Sequence, residues 1–344
     1  MSVRYLTLPE FCAEVGTAAA RGDLSVAMGT SAVVVDLVRV RHAGLAPAAF
    51  GQAVRSLPVP IIARRVEPHD VGTEPYADGC DVVIGADDEA GLEAVLDGIR
   101  ESPLAATALA LLLRGSTERD VESGVVAEST TYSMLQAGPE FAVWRSERGV
   151  RARPPEIGPA VLVERDDAVL DIRLARPHVH NAVNSRLRAA LADAFELAAS
   201  DPALRTVRVS GVGDSFCSGG DLDEFGSFPD PAASHAIRLT RHPALLAHGL
   251  RHRLEFRLHG AALGAGIEIA AFGARVIADP EVSIGLPELS LGLIPGAGGT
   301  VSLPRRIGRH RTAWLAFSGR RIDAETAAEW GLVDEIADLG SLDE

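Results

Sequence analysis

Lysine is absent from this sequence. All 33 basic residues are arginine, set against 47 acids for a formal charge of −14. That balance argues against a nucleic-acid footprint. It still leaves room for a local basic pocket around a small anion. The densest basic run, RRIGRHR at 305–311, reads either as a solvated face or as a contact for a ligand phosphate. Cysteine is scarce: Cys12, Cys80 and Cys217 stand far apart. An odd, sparse set makes neither a disulfide framework nor a zinc pattern, so no metal and a reducing, cytoplasmic setting are expected. No uncharged apolar run reaches the length of a membrane span. SPLAATALALLL is too short and reads as a buried helix. The leading MSVRYLTLPEFCAEV lacks the basic-then-apolar layout of a signal peptide.

What is present is hydrophobic content of 47% over 344 residues, enough for a sizeable core and about two domains. In the first half, SAVVVDLV, VPIIARR and DVVIGAD read as buried strands, and APAAFGQAVRSL as a helix. Three consecutive helices are expected in DEAGLEAVLDGIRES, PLAATALALLLRGS and TERDVESGVVAESTTYSMLQAG. Pro103 suits a helix start, and Gly115 and Gly138 suit helix ends. RGVRARPPEIGP, 148–159, reads as a linker. Strands restart in PAVLVERDDAVLDIRLARP, followed by a helix over 184–200 and the strand TVRVSGVG. Strand, helix and strand in alternation predict an α/β architecture. The halves look like loose copies of each other, with CDVVIGAD answering WGLVDEIAD near the C-terminus.

Three segments of the second half could carry chemistry. GVGDSFCSGGDLDEF, 211–225, packs Ser218, Gly219 and Gly220 into a turn after a strand, where small residues let backbone approach a ligand. Alone it reads equally well as an ordinary turn. LHGAALGAGIEIAAFGARVIAD, 258–279, predicts a helix beginning at Ala265, whose first N–H groups lack partners and suit a developing oxyanion. Glu268 lies one turn in, among apolar residues. It is either a structural acid paired with an arginine or a working carboxylate, since unpaired burial is costly. LPELSLGLIPGAGGT, 286–300, holds Glu288 as its single charge. A lone carboxylate in an apolar loop has a raised pKa and suits proton transfer near neutrality; the alternative is an exposed loop acid. His242, His248, His252 and His259 read as surface or packing residues, and Cys217 as a small packing residue.

RPHVHNAVN, FCSGGDL, LGAGIEIA, LPELSLGLIPGAGGT and SGRRIDAETAAEWGLVDEI, in that order over about 160–336, resemble the crotonase family, also called the enoyl-CoA hydratase/isomerase superfamily. The resemblance implies a core of repeated ββα units wound as a spiral, over 158–344. It implies that the N–H groups of Gly220 and Ala265 form an oxyanion hole. Glu268 and Glu288 would be the two catalytic glutamates of its hydratase branch, with Glu268 orienting water and Glu288 delivering a proton to the α carbon. His178, Val179, His180, Asp221, Leu222 and Asp223 would line the site for coenzyme A and the thioester. The substrate would be an acyl-CoA, with no separate cofactor, no nucleic acid and no membrane as partner. The assembly would be a homotrimer or a dimer of trimers.

Two departures from the family stand out. The chain stops within about ten residues of GLVDEI, where the family continues with helices that build the trimer and cover coenzyme A. The helices of 91–146 are similar to that tail. Residues 1–150 therefore read as a degenerate crotonase-like domain that kept its tail helices, expected to serve oligomerisation. Without lysine, any contact to the phosphates of coenzyme A falls to arginine. Within the superfamily an isomerase, hydrolase or decarboxylase is the alternative; outside catalysis, it is a scaffold that keeps only the fold.

Overall fold

The computed structural model describes all residues except 18, 39–42, 67–71, 150–155, 157, 228–229 and 341–344. The expected linker therefore lies largely outside the described residues. In the first half, strands β1 (Ser2–Thr7), β2 (Thr30–Leu37), β3 (Ile61–Arg65) and β4 (Val82–Ile84) pair in parallel, in chain order. The β2 run TSAVVVDL is buried on both faces, as a covered parallel strand requires. Val33 and Val35 face a small cluster with Leu8, Phe11 and Phe50. Ala32 and Val34 face the helices that follow. β1 is not legible in the sequence, because SVRYLT has no apolar run; pairing with β2 makes it a strand.

The second half is built on β5 (Val161–Asp166), β6 (Val169–Leu174), β7 (Thr206–Gly211), β8 (Leu254–Leu258), β9 (Ala261–Leu263), β10 (Arg275–Ala278), β11 (Ser283–Gly285) and β12 (Glu335–Ile336). The large sheet runs β12-β10-β8-β7-β6-β5, and β9 pairs with β11 in a small one. Among these strand pairs the β5–β6 hairpin is antiparallel and the others are parallel. β8 turns into β9 through His259–Gly260, and β10 leads to β11. Gly260 has φ +52°, and a Cβ there would lie 2.0 Å from the Asp214 carbonyl oxygen. These repeated strand-strand-helix steps give the mixed α/β spiral. The two segments that answer each other in sequence end as β4 and β12, each an edge strand paired in parallel.

The three expected helices of the first half are Glu89–Glu101, Pro103–Arg114 and Val121–Gln136, with Pro103 in the first turn. Gly138 follows the Ala137 C-cap of the third, its N–H donating to the Leu135 carbonyl, and is also the N-cap of a fourth helix, Pro139–Arg148. Their apolar faces cover the second half of the same chain. One buried cluster runs from Ala32 and Leu92 through Leu109 and Val125 to Leu258, Leu289 and Phe317. At the helix crossing, a Cβ on Gly98 would lie 1.9 Å from the Phe317 carbonyl oxygen.

RRIGRHR is partly a solvated face, with Arg305 and Arg311 exposed, while Arg306, Arg309 and His310 are half-buried. Arg305 donates to the carbonyl oxygens of Val301 (2.7 Å) and Arg119 (2.6 Å). Arg306 donates to Leu332 and Gly273 carbonyls. Arg309 donates to the Cys80 carbonyl at 2.6 Å, and the His310 ring nitrogen lies 3.0 Å from the same oxygen. The guanidinium forks satisfy backbone carbonyls, and those of Arg305 and Arg309 reach across to Arg119 and Cys80 of the first half.

Gly98→Val should force the two helices apart and destabilise the fold by about 1–3 kcal/mol, the range for overpacking. Chemical denaturation checks this. An unchanged transition would mean that the halves do not pack here.

Candidate active site

Three short strand-like segments lie side by side, and each delivers one group to the same cavity. Cys217 bridges Ala262 in parallel, and β9 pairs β11 with Leu263 opposite Gly285. Three residues beyond the Cys217–Ala262 bridge, Gly220 and Ala265 both reach the cavity wall. Three beyond Gly285 comes Glu288, which lines it too. The Gly264 N–H donates to the Gly285 carbonyl at 3.0 Å. Gly264 has φ +46°, and a Cβ there would lie 2.2 Å from Glu288 Oε1. Glycine is required on both counts.

The Gly219–Gly220 turn is held from behind by the RPHVHN segment. The Val183 N–H donates to the Gly219 carbonyl, and the Ser218 N–H to the His180 carbonyl. Asn181, at φ +55°, clamps three segments. Its carbonyl-type oxygen accepts from the Arg176 N–H, and its amide donates to the Val212 and Ser215 carbonyls. The buried Arg176 guanidinium pairs with Asp221 and Glu156. His178 and His180 are exposed. Arg148 pairs with Asp223 at 2.6 Å. His178, Val179, His180, Asp221, Leu222 and Asp223 are not among the lining residues; they belong to the turn that presents Gly220.

The cavity has a volume of about 350 Å³. Among the described residues, the N–H groups of Gly220 and Ala265 have no acceptor in the protein. Glu268 and Glu288 are both buried, at 1% and 7% exposure, and neither pairs with an arginine. Glu268 Oε2 accepts from the N–H groups of Ala297 (2.7 Å) and Gly299 (2.9 Å). Its pKa is nonetheless well above the usual carboxylate range, through burial and the charges of Glu288 and Glu128. Burial lifts Glu288 to about 7, and its Oε2 has no hydrogen-bond partner.

Sequence reading missed a third buried acid. Glu128, from helix Val121–Gln136, accepts from the N–H groups of Gly298 (2.7 Å) and Thr300 (2.8 Å) and from the Thr300 hydroxyl (2.7 Å). Burial pushes it to about 7. Tyr132 and Gln136 of the same helix line the cavity, with Arg188, Arg238 and His242. A polar residue at a buried helical position was the available signal for Glu128. Nothing local ties it to residues 298–300. His242 is a packing residue as expected: it caps helix Pro243–Leu250, and burial lowers it to about 4. Cys217 is buried, with its thiol pKa pushed up to about 12 by burial, so it is inert. Among the described residues, no group of His, Cys, Asp or Glu could hold a metal ion, and no helix is long and apolar enough to cross a membrane.

Fold and cavity define a class, the crotonase-type mixed α/β spiral. A family model described as enoyl-CoA hydratase/isomerase matches residues 164–343, and the chain belongs to that family. It is 36% identical over 178 residues to the 2,3-dehydroadipyl-CoA hydratase of Escherichia coli, covering 51% of this chain and 68% of that one. It is 32% identical over 182 residues to the 1,2-epoxyphenylacetyl-CoA isomerase of the same organism, covering 52% and 70%. Among solved structures it is similar to Pseudomonas aeruginosa DspI, with a TM-score of 0.50 and 27% identity, over 55% of this chain and 72% of that one. The chain spans 60–68% of the length of several curated relatives that it matches.

Glu128→Ala should leave the Gly298 and Thr300 amides without partners. Each orphaned donor costs about 1–3 kcal/mol, and relief of carboxylate repulsion offsets part, so a net loss on the order of 2 kcal/mol is expected. Urea denaturation checks this; equal stability would mean that the three bonds contribute nothing net.

Proposed function

We propose that the cavity hydrates a 2-enoyl-CoA thioester, or runs the reverse dehydration. The observation that carries this reading is the contrast between its two acids. Glu268 Oε2 holds two backbone N–H donors, which favour the charged form. Glu288 Oε2 holds none. We assign the proton to Glu288 on this hydrogen-bond contrast, although burial and the charges of Glu288 and Glu128 also raise Glu268 strongly. Glu268 is then the acceptor and Glu288 the donor.

In this reading the thioester oxygen sits between the N–H groups of Gly220 and Ala265. Each such donor is worth about 3–4 kcal/mol as the oxygen gains charge. That charge draws electron density from the double bond and opens the β carbon to attack. A water held by Glu268 adds there and gives up a proton to Glu268. Glu288 delivers its own proton to the α carbon, and the proton balance closes when Glu268 returns one. The related proteins include a hydratase and an isomerase, so family membership alone leaves the reaction open. Moving one proton between carbons needs one acid, whereas adding water uses two. All the groups the reaction requires are the chain's own, and two orphan donors beside two uncompensated acids are hard to reconcile with a scaffold.

The test is loss of the conjugated enoyl-thioester absorbance on a panel of 2-enoyl-CoAs. Glu268→Gln and Glu288→Gln should each lower kcat by about 10²–10⁴, the range for general acid–base groups. Full activity in either variant, or a moved double bond without added water, would overturn the proposal. The hydration rate should also fall as pH rises through about 7, because Glu288 must be protonated to donate. A rate that keeps rising above that pH would assign the donor role elsewhere.

A further inference from the structure

Resting on the hydratase reading, we infer that the pocket takes a short 2-enoyl-CoA whose far end carries a carboxylate. Two guanidinium groups line the cavity: Arg188 from helix Ser185–Ser200 and Arg238 from helix Pro231–Thr240. Among the described residues the two buried arginines are matched to acids, Arg114 to Asp81 and Arg176 to Glu156 and Asp221, whereas these two are half-buried. Among the described residues, neither cavity arginine has a carboxylate within ion-pair distance, and the Arg188 side chain has no hydrogen bond either.

Arg238 is held by neutral groups. Its Nε donates to Ser129 Oγ at 3.1 Å and its Nη2 to Ser133 Oγ and, at 3.4 Å, the Ser129 carbonyl. Nη1 reaches only Gln136 Oε1, at 3.5 Å. The guanidinium lies 4.8 Å from the centre of the Tyr132 ring. These contacts fix its orientation and leave its charge uncompensated. The nearby acids are engaged elsewhere. Both Glu128 oxygens serve Gly298 and Thr300. Glu224, also on the wall, accepts from the Ser185 N–H and hydroxyl. His242 packs beside them as a neutral cap. Two like charges on one cavity wall, partly removed from water and without an ion-paired acid among the described residues, are costly unless a ligand brings an anion.

One chain of contacts ties Arg238 to the acid proposed to hold water. Tyr132, beneath Arg238, packs on Gly296, where a Cβ would lie 2.4 Å from the ring. The next residue, Ala297, holds Glu268. Both arginines share the cavity wall with the carboxylates, and in this reading the far end of the acyl chain lies against them. Ile237 and Ile269 offer apolar wall for its methylenes. A volume of about 350 Å³ is at the small end for ligand pockets, about 300–1,000 Å³, so the chain is short. A phosphate of coenzyme A is the other anion that could reach a guanidinium, and the experiment separates the two.

Wild type and Arg188→Met would be compared on 2-enoyl-CoAs ending in a carboxylate and on methyl-ended chains of matched length. The expected kcat/KM ratio, carboxylate over methyl, is at least about tenfold in wild type and falls towards unity in Arg188→Met. Arg238→Lys, which keeps charge but loses the fork, should retain part of the preference. Equal or reversed preference in wild type would overturn the proposal. So would an Arg188→Met variant that weakens acetyl-CoA binding as much as it weakens the carboxylate-ended esters, since that loss belongs to a phosphate. Binding of the saturated, unreactive esters is measured alongside. Selective binding of the carboxylate-ended ester without any turnover would defeat the hydratase reading and leave this one standing. Turnover without selectivity would do the reverse.

Discussion

Four successive amide N–H groups, from Ala297 to Thr300, hold two buried carboxylates that come from opposite halves of the chain. Glu268 takes the first and third, and Glu128 the second and fourth. These amides open helix Gly299–Ile307 and would otherwise lack partners. The alternation leaves no room for a side chain at Gly299, where a Cβ would lie 2.5 Å from Glu268 Cγ. The turn is thus at once a helix start, a seam between the halves and the support of the acid assigned to hold water.

That sharing explains why the first half cannot be regarded as an appendage. Helix Val121–Gln136 supplies Glu128 to the seam and Tyr132 and Gln136 to the cavity wall. The helices before and after it close the same apolar cluster. A unit resembling a tail, placed ahead of the core in sequence, lies against that core in space. Burial raises the pKa of all three acids, and the charge of Glu128 raises Glu268 and Glu288 further. With folded values above those of the open chain, these acids favour folding most in acid, and that contribution is lost as pH rises through about 7. The fold carries this cost at the site proposed to transfer protons.

The exclusive use of arginine fits the same constraints. Its fork caps several carbonyls at once, as Arg306 does with Leu332 and Gly273, and as Arg114 does with Leu57 and Val59 beside Asp81. A guanidinium stays charged when partly buried, and it can stack on a ring, as Arg238 does on Tyr132. In the cavity those properties leave two permanent positive charges on a wall that also carries the acids.

By itself the sequence determined the α/β alternation, most buried strands, and the three segments ending in Gly220, Ala265 and Glu288. Those signals are local: apolar runs, glycines where backbone must pass closely, and single charges in apolar surroundings. It did not reveal helix Pro231–Thr240, which buries no residue fully and carries Arg238, nor strand β1, which needs β2 to exist. The basic run 305–311 looked like surface because its acceptors are backbone carbonyls distant in sequence. Only the tertiary structure brought Glu128 to the turn at 298–300, some 170 residues away, and set Arg188 beside Arg238 without a counterion. Parallel pairing and helix packing decide such meetings, and neither leaves a trace in the spacing of residues along one segment.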